Sequence, residues 1–153
     1  MNRKSIVMSF VLTAAILLPA GLQAQAAPQA APASPAPTKT HRVVFGLTSG
    51  DEADWRLTLG NLRNLLVASS PDSQIEVVAY GPGLSFVKKG SSAEQEILAL
   101  IAKQVHFVAC QNAMRMQHVT EADLIPGVGT VPAGIVEVIT RQEQGWSYIK
   151  AGR

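Results

Sequence analysis

The sequence predicts an α/β fold, with a mostly parallel sheet and helices on both of its faces. Short apolar runs typical of buried strands alternate with longer runs whose apolar residues recur at helical spacing. Most of these runs end at Gly, Pro, Ser or Asp residues, which favour turns. The part of the chain with this pattern, residues 41–153, has the length of one domain, and no internal repeat divides it.

Five strands are expected in this domain. The first is the run RVVFGL at 42–47, and the others lie at 75–80, 105–110, 128–131 and 146–150. They are rich in valine, isoleucine and aromatic residues, as buried strands are. Because helical runs separate most of them, the strands are expected to lie parallel in a single sheet.

Two of the predicted helices have the pattern of a capping box, in which a serine and an acidic or amide residue three positions later satisfy free backbone N–H groups. These pairs are Ser49 with Glu52 and Ser92 with Gln95. The helix after the first pair is amphipathic. Its buried side is predicted to carry Trp55, Leu59, Leu62 and Leu66.

Two more helical stretches follow. A short one covers 111–117. The last helix starts at Pro132, a residue that suits the first position of a helix, and it ends at Gly145. Its buried side is predicted to carry Ile135, Val136 and Ile139.

The first 26 residues have the parts of a Sec-type secretory signal peptide. Arg3 and Lys4 form a positive region, 6–19 is an apolar run too short for a usual membrane span, and Ala24 and Ala26 suit a signal peptidase. We therefore expect export to the periplasm, with no membrane attachment after processing. A retained N-terminal anchor is the alternative.

Residues 27–40 are rich in Ala and Pro, which predicts an extended, disordered linker between the signal and the domain at 41–153. The chain has 13 Lys and Arg against 11 Asp and Glu, and two of the basic residues belong to the predicted signal. The mature protein is therefore expected to be near neutral. Since no long basic run remains, nucleic-acid binding has little support.

The single cysteine, Cys110, ends the third predicted strand, directly before the short helical stretch. In open α/β sheets, ligands bind beyond the carboxyl ends of the strands, and this places Cys110 where a site is expected. An exported chain with one cysteine cannot form an internal disulfide. Its thiol is therefore buried and inert, paired between chains, or reactive.

A reactive thiol is consistent with this position. The unpaired N–H groups and the positive dipole end at the start of a helix stabilise a thiolate, and Arg115 lies one turn further on. Such a thiolate attacks an electrophile or carries sulfur as a persulfide. The alternative is that Cys110 is the last buried residue of its strand, since free cysteine is among the most buried residue types.

A metal site is a weaker interpretation of the same segment. Cys110, Met114, Met116 and His118 offer soft and borderline ligands that suit Cu(I). Their pattern matches no known metal motif, and methionines packed in the core with His118 at a helix end are the favoured explanation. The sequence has no P-loop, dinucleotide fingerprint or nucleophile elbow, so no cofactor is predicted.

Three segments resemble the DsrE/DsrF-like sulfur-relay family, and in particular its small exported members. The segments are VVAYGPGL, VHFVACQNAM and DLIPGVGTVPAGIVEVITRQEQGWSYIK. The resemblance covers about residues 42–150. Its best markers are the cysteine that closes the third strand, the VPAG turn into a helix and the QEQGWSYIK ending.

The resemblance implies a three-layer α/β/α fold and assembly into homo- or hetero-oligomers, often built on trimers. It implies that Cys110 accepts sulfane sulfur as a persulfide and passes it to a partner. Asn112, in the same loop, would donate a hydrogen bond to the thiolate or persulfide. The loops after the first two strands end at the same edge of the sheet as Cys110. Tyr80 and Gly81 are therefore expected to form the neighbouring wall, and Ser49 is expected among the binding residues.

The sequence therefore predicts an exported protein that handles sulfur through one reactive cysteine, as a persulfide carrier or sulfur relay. Its partner would be a sulfur donor or acceptor protein or a small thiol, and the protein is expected to form a homo-oligomer. Whether it is a sulfurtransferase enzyme or a carrier is left open. The alternatives are a non-catalytic oligomeric module that binds a small ligand and has a structural cysteine, and a Cu(I)-binding protein.

Overall fold

A computed structural model describes residues 39–153. The predicted signal peptide and all but the last two residues of the predicted linker lie outside the described residues. Within the described part of the chain there are five strands, whose bounds are β1 Arg42–Leu47, β2 Gln74–Ala79, β3 Val105–Cys110, β4 Gly129–Val131 and β5 Ser147–Ala151.

The strands form one sheet in the order β4–β3–β2–β1–β5, and every neighbouring pair is parallel. The predicted fold class is therefore confirmed. The register pairs Val43 with Ile75, and Ile75 with Val105, so the three central strands start level with one another. Their carboxyl ends consequently meet at one edge of the sheet.

Four α-helices and two 3₁₀ segments connect the strands within residues 39–153. The helices are α1 Glu52–Ala68, α2 Glu94–Ile101, α3 Gln111–Met116 and α4 Gly134–Glu143. The 3₁₀ segments are Gly81–Val87 and Glu121–Asp123. The predicted turn after β2 is thus the start of a longer 3₁₀ segment. No helix between residues 39 and 153 has both the length and the apolar character to cross a membrane.

The larger part of the core lies on the face of the sheet that α1 and α2 cover. Trp55 of α1 packs against Phe86, with ring centroids 5.7 Å apart, and Phe86 packs against Phe107 of β3 at 6.2 Å. Tilted aromatic pairs at such distances add about 0.5–1.5 kcal/mol beyond the apolar area they bury. The buried apolar residues of both helices belong to this cluster.

The opposite face of the sheet has a much smaller core. Val44 and Val78 point to this face because side chains alternate along a strand, and they pack with Val138 of α4. The sheet therefore has helices on both faces, as predicted, but they bury very different amounts of apolar surface.

The prediction for the buried side of α4 was wrong. Ile135, Val136 and Ile139 are 54%, 56% and 47% exposed. Val138 is 3% exposed, and Gly134 is also buried. The three isoleucine and valine side chains point away from the sheet because Arg141, on the same stripe as Gly134 and Val138, reaches a carboxylate buried on β2.

Both predicted capping boxes were also wrong. Asp51 is the N-cap of α1, where its carboxylate accepts a hydrogen bond of 2.8 Å from the N–H of Ala53. Ala93 precedes α2 without a side-chain cap, and Glu94 instead accepts a bond of 2.6 Å from the N–H of Gly90. Asp51 lies one residue before α1 begins and so competes better for the free N–H groups than Ser49 does.

The predicted start of α4 moves as well. Pro132 is not its first residue, because Ala133 is the N-cap and the helix begins at Gly134.

Candidate functional site

Cys110 occupies the point where β3 passes into α3. It is the last residue of the strand and the N-cap of the helix, with φ −73° and ψ 115°. The first N–H groups of a helix have no partner inside the helix, and they lie next to the N-cap side chain. The thiol itself caps none of them. The strand end therefore delivers the sulfur to a region with backbone donors.

The side chain of Cys110 is nearly buried, since the residue is 6% exposed. One side faces an open groove of about 310 Å³ at the carboxyl edge of the sheet. Tyr80, Gly81 and Asn112 line the same groove. The structure thus brings together four of the five residues that the sequence singled out.

Ser49, the fifth of these residues, does not line the groove. Its carbonyl accepts a hydrogen bond of 2.8 Å from Trp55 Nε1, and its hydroxyl accepts one of 3.1 Å from the N–H of Asp51. These contacts hold the start of α1. Sequence reasoning placed Ser49 at the site because the loop after β1 ends at the same edge of the sheet as Cys110.

Asn112 presents its amide at the rim of the groove, where the residue is exposed. Its Oδ1 accepts a hydrogen bond from Arg115 Nη2. Because Arg115 holds the carbonyl side, the NH₂ side of Asn112 is the donor left for a bound anion. Arg115 does not line the groove itself. Its contact with a groove residue is the hydrogen bond to Asn112.

Gly81 and Gln117 hold the floor of the groove together. Gly81 has φ +55°, which favours glycine, and its carbonyl accepts a hydrogen bond of 2.7 Å from Gln117 Nε2. This bond ties the chain after β2 to the end of α3. The predicted wall at Gly81 is therefore a backbone wall.

Tyr80 forms the wall with its Cβ and ring, while its hydroxyl points elsewhere. A Cβ atom built on Gly46 of β1 would lie 3.3 Å from the hydroxyl of Tyr80 and 2.9 Å from Cε2 of Tyr148. Burial, and to a smaller extent the neighbouring Tyr148, raise the pKa of Tyr80 above 10.0. The phenol is therefore neutral near pH 7.

Gly134, which the sequence analysis did not select, closes the site from above. A Cβ atom built on Gly134 would lie 2.8 Å from Cβ of Tyr80 and 3.2 Å from Cβ of Cys110. The first residue of α4 therefore touches both site residues through its backbone. The glycine in the VPAG turn was the sequence signal, since glycine permits such close approach.

The groove is neutral and mostly apolar. No Lys, Arg, His, Asp or Glu lines it, whereas Met116 and Ile135 stand at its rim and are 82% and 54% exposed. A negative charge on sulfur there depends on backbone and amide N–H groups. The aliphatic rim suits apolar parts of a bound molecule.

The helix face required for the Cu(I) alternative is not formed. α3 ends at Met116, so His118 lies beyond it with φ 53°, and Met114 is turned into the core. Within residues 39–153 there is no group of three or more His, Cys, Asp or Glu residues that is placed to hold a metal ion.

A parallel α/β sheet with a single cysteine at its carboxyl edge, beside an open groove, defines a class of small thiol-bearing α/β proteins. The sequence model of the DsrE/DsrF-like family matches residues 43–151. The chain belongs to the DsrE/DsrF-like family, as its sequence segments predicted.

Solved structures agree with this assignment. Protein MTH1491 of Methanobacterium thermoautotrophicum, a protein of unknown function, is 34% identical, with a TM-score of 0.70 over 72% of this chain and 98% of that one. BT1422 of Bacteroides thetaiotaomicron, also of unknown function, is 13% identical, with a TM-score of 0.60 over 71% of this chain and 93% of that one.

The ychN protein of E. coli shares the fold at 14% identity, with a TM-score of 0.55 over 74% of this chain and 99% of that one. No curated protein matches this chain.

Proposed function

We propose that the protein carries sulfur on Cys110 as a persulfide, which it takes from a sulfane donor and passes to an acceptor thiol. Membership of the DsrE/DsrF-like family suggests a function related to sulfur relay. The observation that carries the proposal is the position of Cys110, the single cysteine of the chain, at a helix start with one side open to a groove.

The transfer consists of two thiol exchange steps. In the first, the Cys110 thiolate attacks the terminal sulfur of a donor persulfide, R–S–SH. The new S–S bond forms on Cys110, the donor S–S bond breaks, and the donor leaves as R–S⁻, which takes up a proton. In the second, an acceptor thiolate attacks the outer sulfur of Cys110–S–S⁻, and Cys110 leaves as a thiolate. Neither step needs an external oxidant or reductant.

The residues around the groove support these steps in different ways. The free N–H groups at the start of α3 and the NH₂ of Asn112 are the donors for the thiolate and persulfide anions. Tyr80 and Gly134 shield the inner side of the sulfur, where a neutral wall excludes water. Donor and acceptor both reach Cys110 through this groove.

In an exported protein, the low exposure of Cys110 protects the thiol from oxidation. The predicted signal peptide directs the protein to the periplasm, where exposed thiols oxidise readily. A thiol that is 6% exposed, in a groove with an aliphatic rim, is protected from random disulfide formation. A partner that fits the groove still reaches it.

We also propose that the protein forms a homo-oligomer through the outer side of α4. Ile135, Val136 and Ile139 form an exposed apolar patch there, which we call the α4 patch. Patches of this kind mark interaction sites in soluble proteins. Since Ile135 also lines the groove, a second copy seated on the α4 patch would lie next to the Cys110 site.

The test of the function is mass spectrometry of the intact mature protein before and after incubation with polysulfide. The expected result is a gain of about 32 Da, one sulfur atom, which a reducing agent removes. Cys110→Ser should abolish the gain. Because polysulfide modifies any exposed thiol, the uptake rate of the folded protein is compared with that of the urea-unfolded protein, and the folded protein should react faster.

Transfer completes this test. The loaded protein should pass its sulfur to a small acceptor thiol and return to the unmodified mass. A folded protein that stays unmodified, while the unfolded chain reacts, would overturn the proposal. That outcome would favour the non-catalytic module with a structural cysteine.

A further inference from the structure

α4 is held on its face of the sheet by a narrow stripe of contacts. Gly134, Val138 and Arg141 are spaced i, i+4 and i+7, so they lie on one side of the helix. Val138 is the single large apolar side chain of α4 that is buried, where it meets Val44 and Val78. Apolar burial alone therefore attaches α4 weakly to the sheet. Its position depends also on the contacts of Gly134 and Arg141, at the two ends of the stripe.

The far end of the stripe is fixed by Arg141. Its Nη2 lies 2.6 Å from Oε2 of Glu76 and its Nε lies 3.2 Å from Oε1 of the same residue, so the pair is bidentate. Glu137 forms an ion pair with Nε at 2.9 Å, and Gln144 Oε1 accepts a hydrogen bond of 3.4 Å from Nη1. The guanidinium also lies 4.8 Å from the ring centroid of Trp146. Four residues thus hold one arginine in place.

Glu76 anchors this arrangement to the middle of the sheet. It is 3% exposed, on β2, and burial raises its pKa although Arg141 acts in the opposite direction. A carboxylate with so little access to water depends on its protein partner. The ion pair therefore fixes the distance between α4 and the sheet.

The near end of the stripe is the wall of the Cys110 site. Gly134 contacts Tyr80 and Cys110, about 10 Å along the helix axis from Arg141 at the usual rise of a helix. Gly134 and Arg141 belong to one continuous helix, Gly134–Glu143. We therefore expect a change in the position of Arg141 to move the wall next to the thiol.

We propose that Arg141 is a positioning residue for Cys110: its ion pair with Glu76 holds the first turn of α4 against the thiol and so sets how large a molecule can reach the sulfur. This inference rests on the proposed function, because access matters to the protein only if Cys110 exchanges sulfur. With α4 seated, the groove of about 310 Å³ admits small sulfur compounds. A bulky thiol partner reaches Cys110 only when this wall moves.

The test compares two thiol reagents on the folded full-length mature protein. Iodoacetamide is the small reagent, and a maleimide with a polyethylene glycol chain is the bulky one. The double variant Glu76→Gln/Arg141→Met removes both charges of the buried pair, while Glu137, whose side chain is 20% exposed, loses its arginine partner. In this variant the bulky-to-small rate ratio should rise by about tenfold or more. Arg141→Lys keeps the positive charge but cannot form the bidentate pair, so its rate ratio should lie between those of this variant and the wild type.

Arg63→Met is the matched control. Arg63 forms an ion pair with Glu96 between α1 and α2, away from α4, so this variant should keep the wild-type ratio. A simple loss of global stability would accelerate both reagents together, in step with the unfolded fraction measured in urea. If Glu76→Gln/Arg141→Met does not fold, Arg141→Lys decides the question.

An unchanged ratio in the folded variants, or equal acceleration of both reagents, would overturn the positioning role. The outcome is separate from the test of sulfur transfer, since alkylation reports access whether or not the thiol carries sulfur. A changed ratio without persulfide formation would leave the positioning role standing and reject the sulfur carrier. Persulfide formation with an unchanged rate ratio would support the sulfur carrier and reject the positioning role of Arg141.

Discussion

Gly134 and Cys110 are in direct contact: a Cβ atom on Gly134 would lie 3.2 Å from Cβ of Cys110. The first residue of the last helix therefore forms part of the wall around the single thiol of the chain. Tyr80, the residue after β2, completes this wall, with its Cβ 2.8 Å from the same position. Three separate segments of the sequence thus define how the sulfur is reached.

Gly134→Ala should loosen this wall. Alanine is the better helix former, but its Cβ would collide with Tyr80, so α4 must shift outward. We expect the free energy of unfolding to fall by about 1–3 kcal/mol and the alkylation of Cys110 by a bulky maleimide to become faster. Urea unfolding and labelling kinetics measure the two effects.

Gly60→Ala is the control for this change. Gly60 lies inside α1, where a Cβ atom would lie at an ordinary 3.6 Å from Arg63 Nη2. In this variant the free energy of unfolding should rise by about 0.4–1 kcal/mol, and the rate of Cys110 labelling should stay at the wild-type value. Equal behaviour of the two alanine variants would contradict the role of Gly134.

Tyr80 should ionise at a higher pH than a free tyrosine. Burial, followed by the charge of Tyr148, raises its pKa above 10.0. The folded state therefore binds this proton more tightly than the unfolded chain, and its contribution to stability is full below pH 10 and is lost as the pH rises through the raised pKa. Near-UV absorbance of tyrosinate follows the titration.

The assignment of that titration is simple because the chain has two tyrosines. Tyr80→Phe should remove the step that lies above pH 10, and Tyr148→Phe should move this step of Tyr80 back toward pH 10. A wild-type protein without a tyrosinate step above pH 10 would argue against the burial of the Tyr80 phenol.

Asp54 should stabilise the fold against acid. Hydrogen bonds from Ser49 and then Arg153 hold its pKa at about 2, below the ordinary 3.8. A lowered pKa contributes stability above the ordinary value, and this contribution is lost as the pH falls from about 3.8 through about 2. In Asp54→Asn, urea unfolding should therefore depend less on pH across this window.

Asp72→Asn serves as the comparison for Asp54→Asn. Asp72 lies in the exposed turn before β2, and its carboxylate accepts no side-chain hydrogen bond within residues 39–153. This variant should keep the acid dependence of the wild type. If Asp72→Asn and Asp54→Asn change the acid dependence of unfolding equally, the contact between Asp54 and Arg153 does not contribute to stability in acid.

Val136→Glu should dissociate the proposed oligomer. Val136 is 56% exposed within the α4 patch, so a carboxylate there would be buried unpaired in an interface while leaving the monomer folded. Sedimentation of the mature protein should show a fall in mass to that of the monomer.

Val67→Glu is the matched control for the oligomer. Val67 is 85% exposed on α1, away from the α4 patch, and its replacement should leave the sedimentation unchanged. A wild-type protein that sediments as a monomer, or a Val136→Glu variant that keeps the wild-type mass, would reject the α4 patch as the interface.

Strand positions were the most predictable part of the fold. β1 and β3 have the bounds that their apolar runs predicted, and β2 differs by one residue at each end. The expected parallel sheet also placed Cys110 at its carboxyl edge, close to Tyr80, Gly81 and Asn112. These results depend on local patterns, because turn residues and apolar runs limit each strand within the sequence itself.

The orientation of α4 was not predictable in this way. Its apolar residues indicate one side, but the side that faces the sheet is the one with Gly134, Val138 and Arg141. The helix turns this side inward because Glu76, on a distant strand, buries a carboxylate that needs the arginine. The periodicity of apolar residues within a helix contains no information about a charged partner on another element.

The sequence by itself thus determined the order of strands and helices, the family, and the placement of one thiol at the carboxyl edge of the sheet. The tertiary structure decided which residues surround that thiol, which cap begins α1 and which side of α4 meets the sheet. Local patterns report only the preferences of a segment. Close contacts such as Gly134 with Cys110, and ion pairs such as Arg141 with Glu76, join distant segments and exist only after the sheet has brought them together.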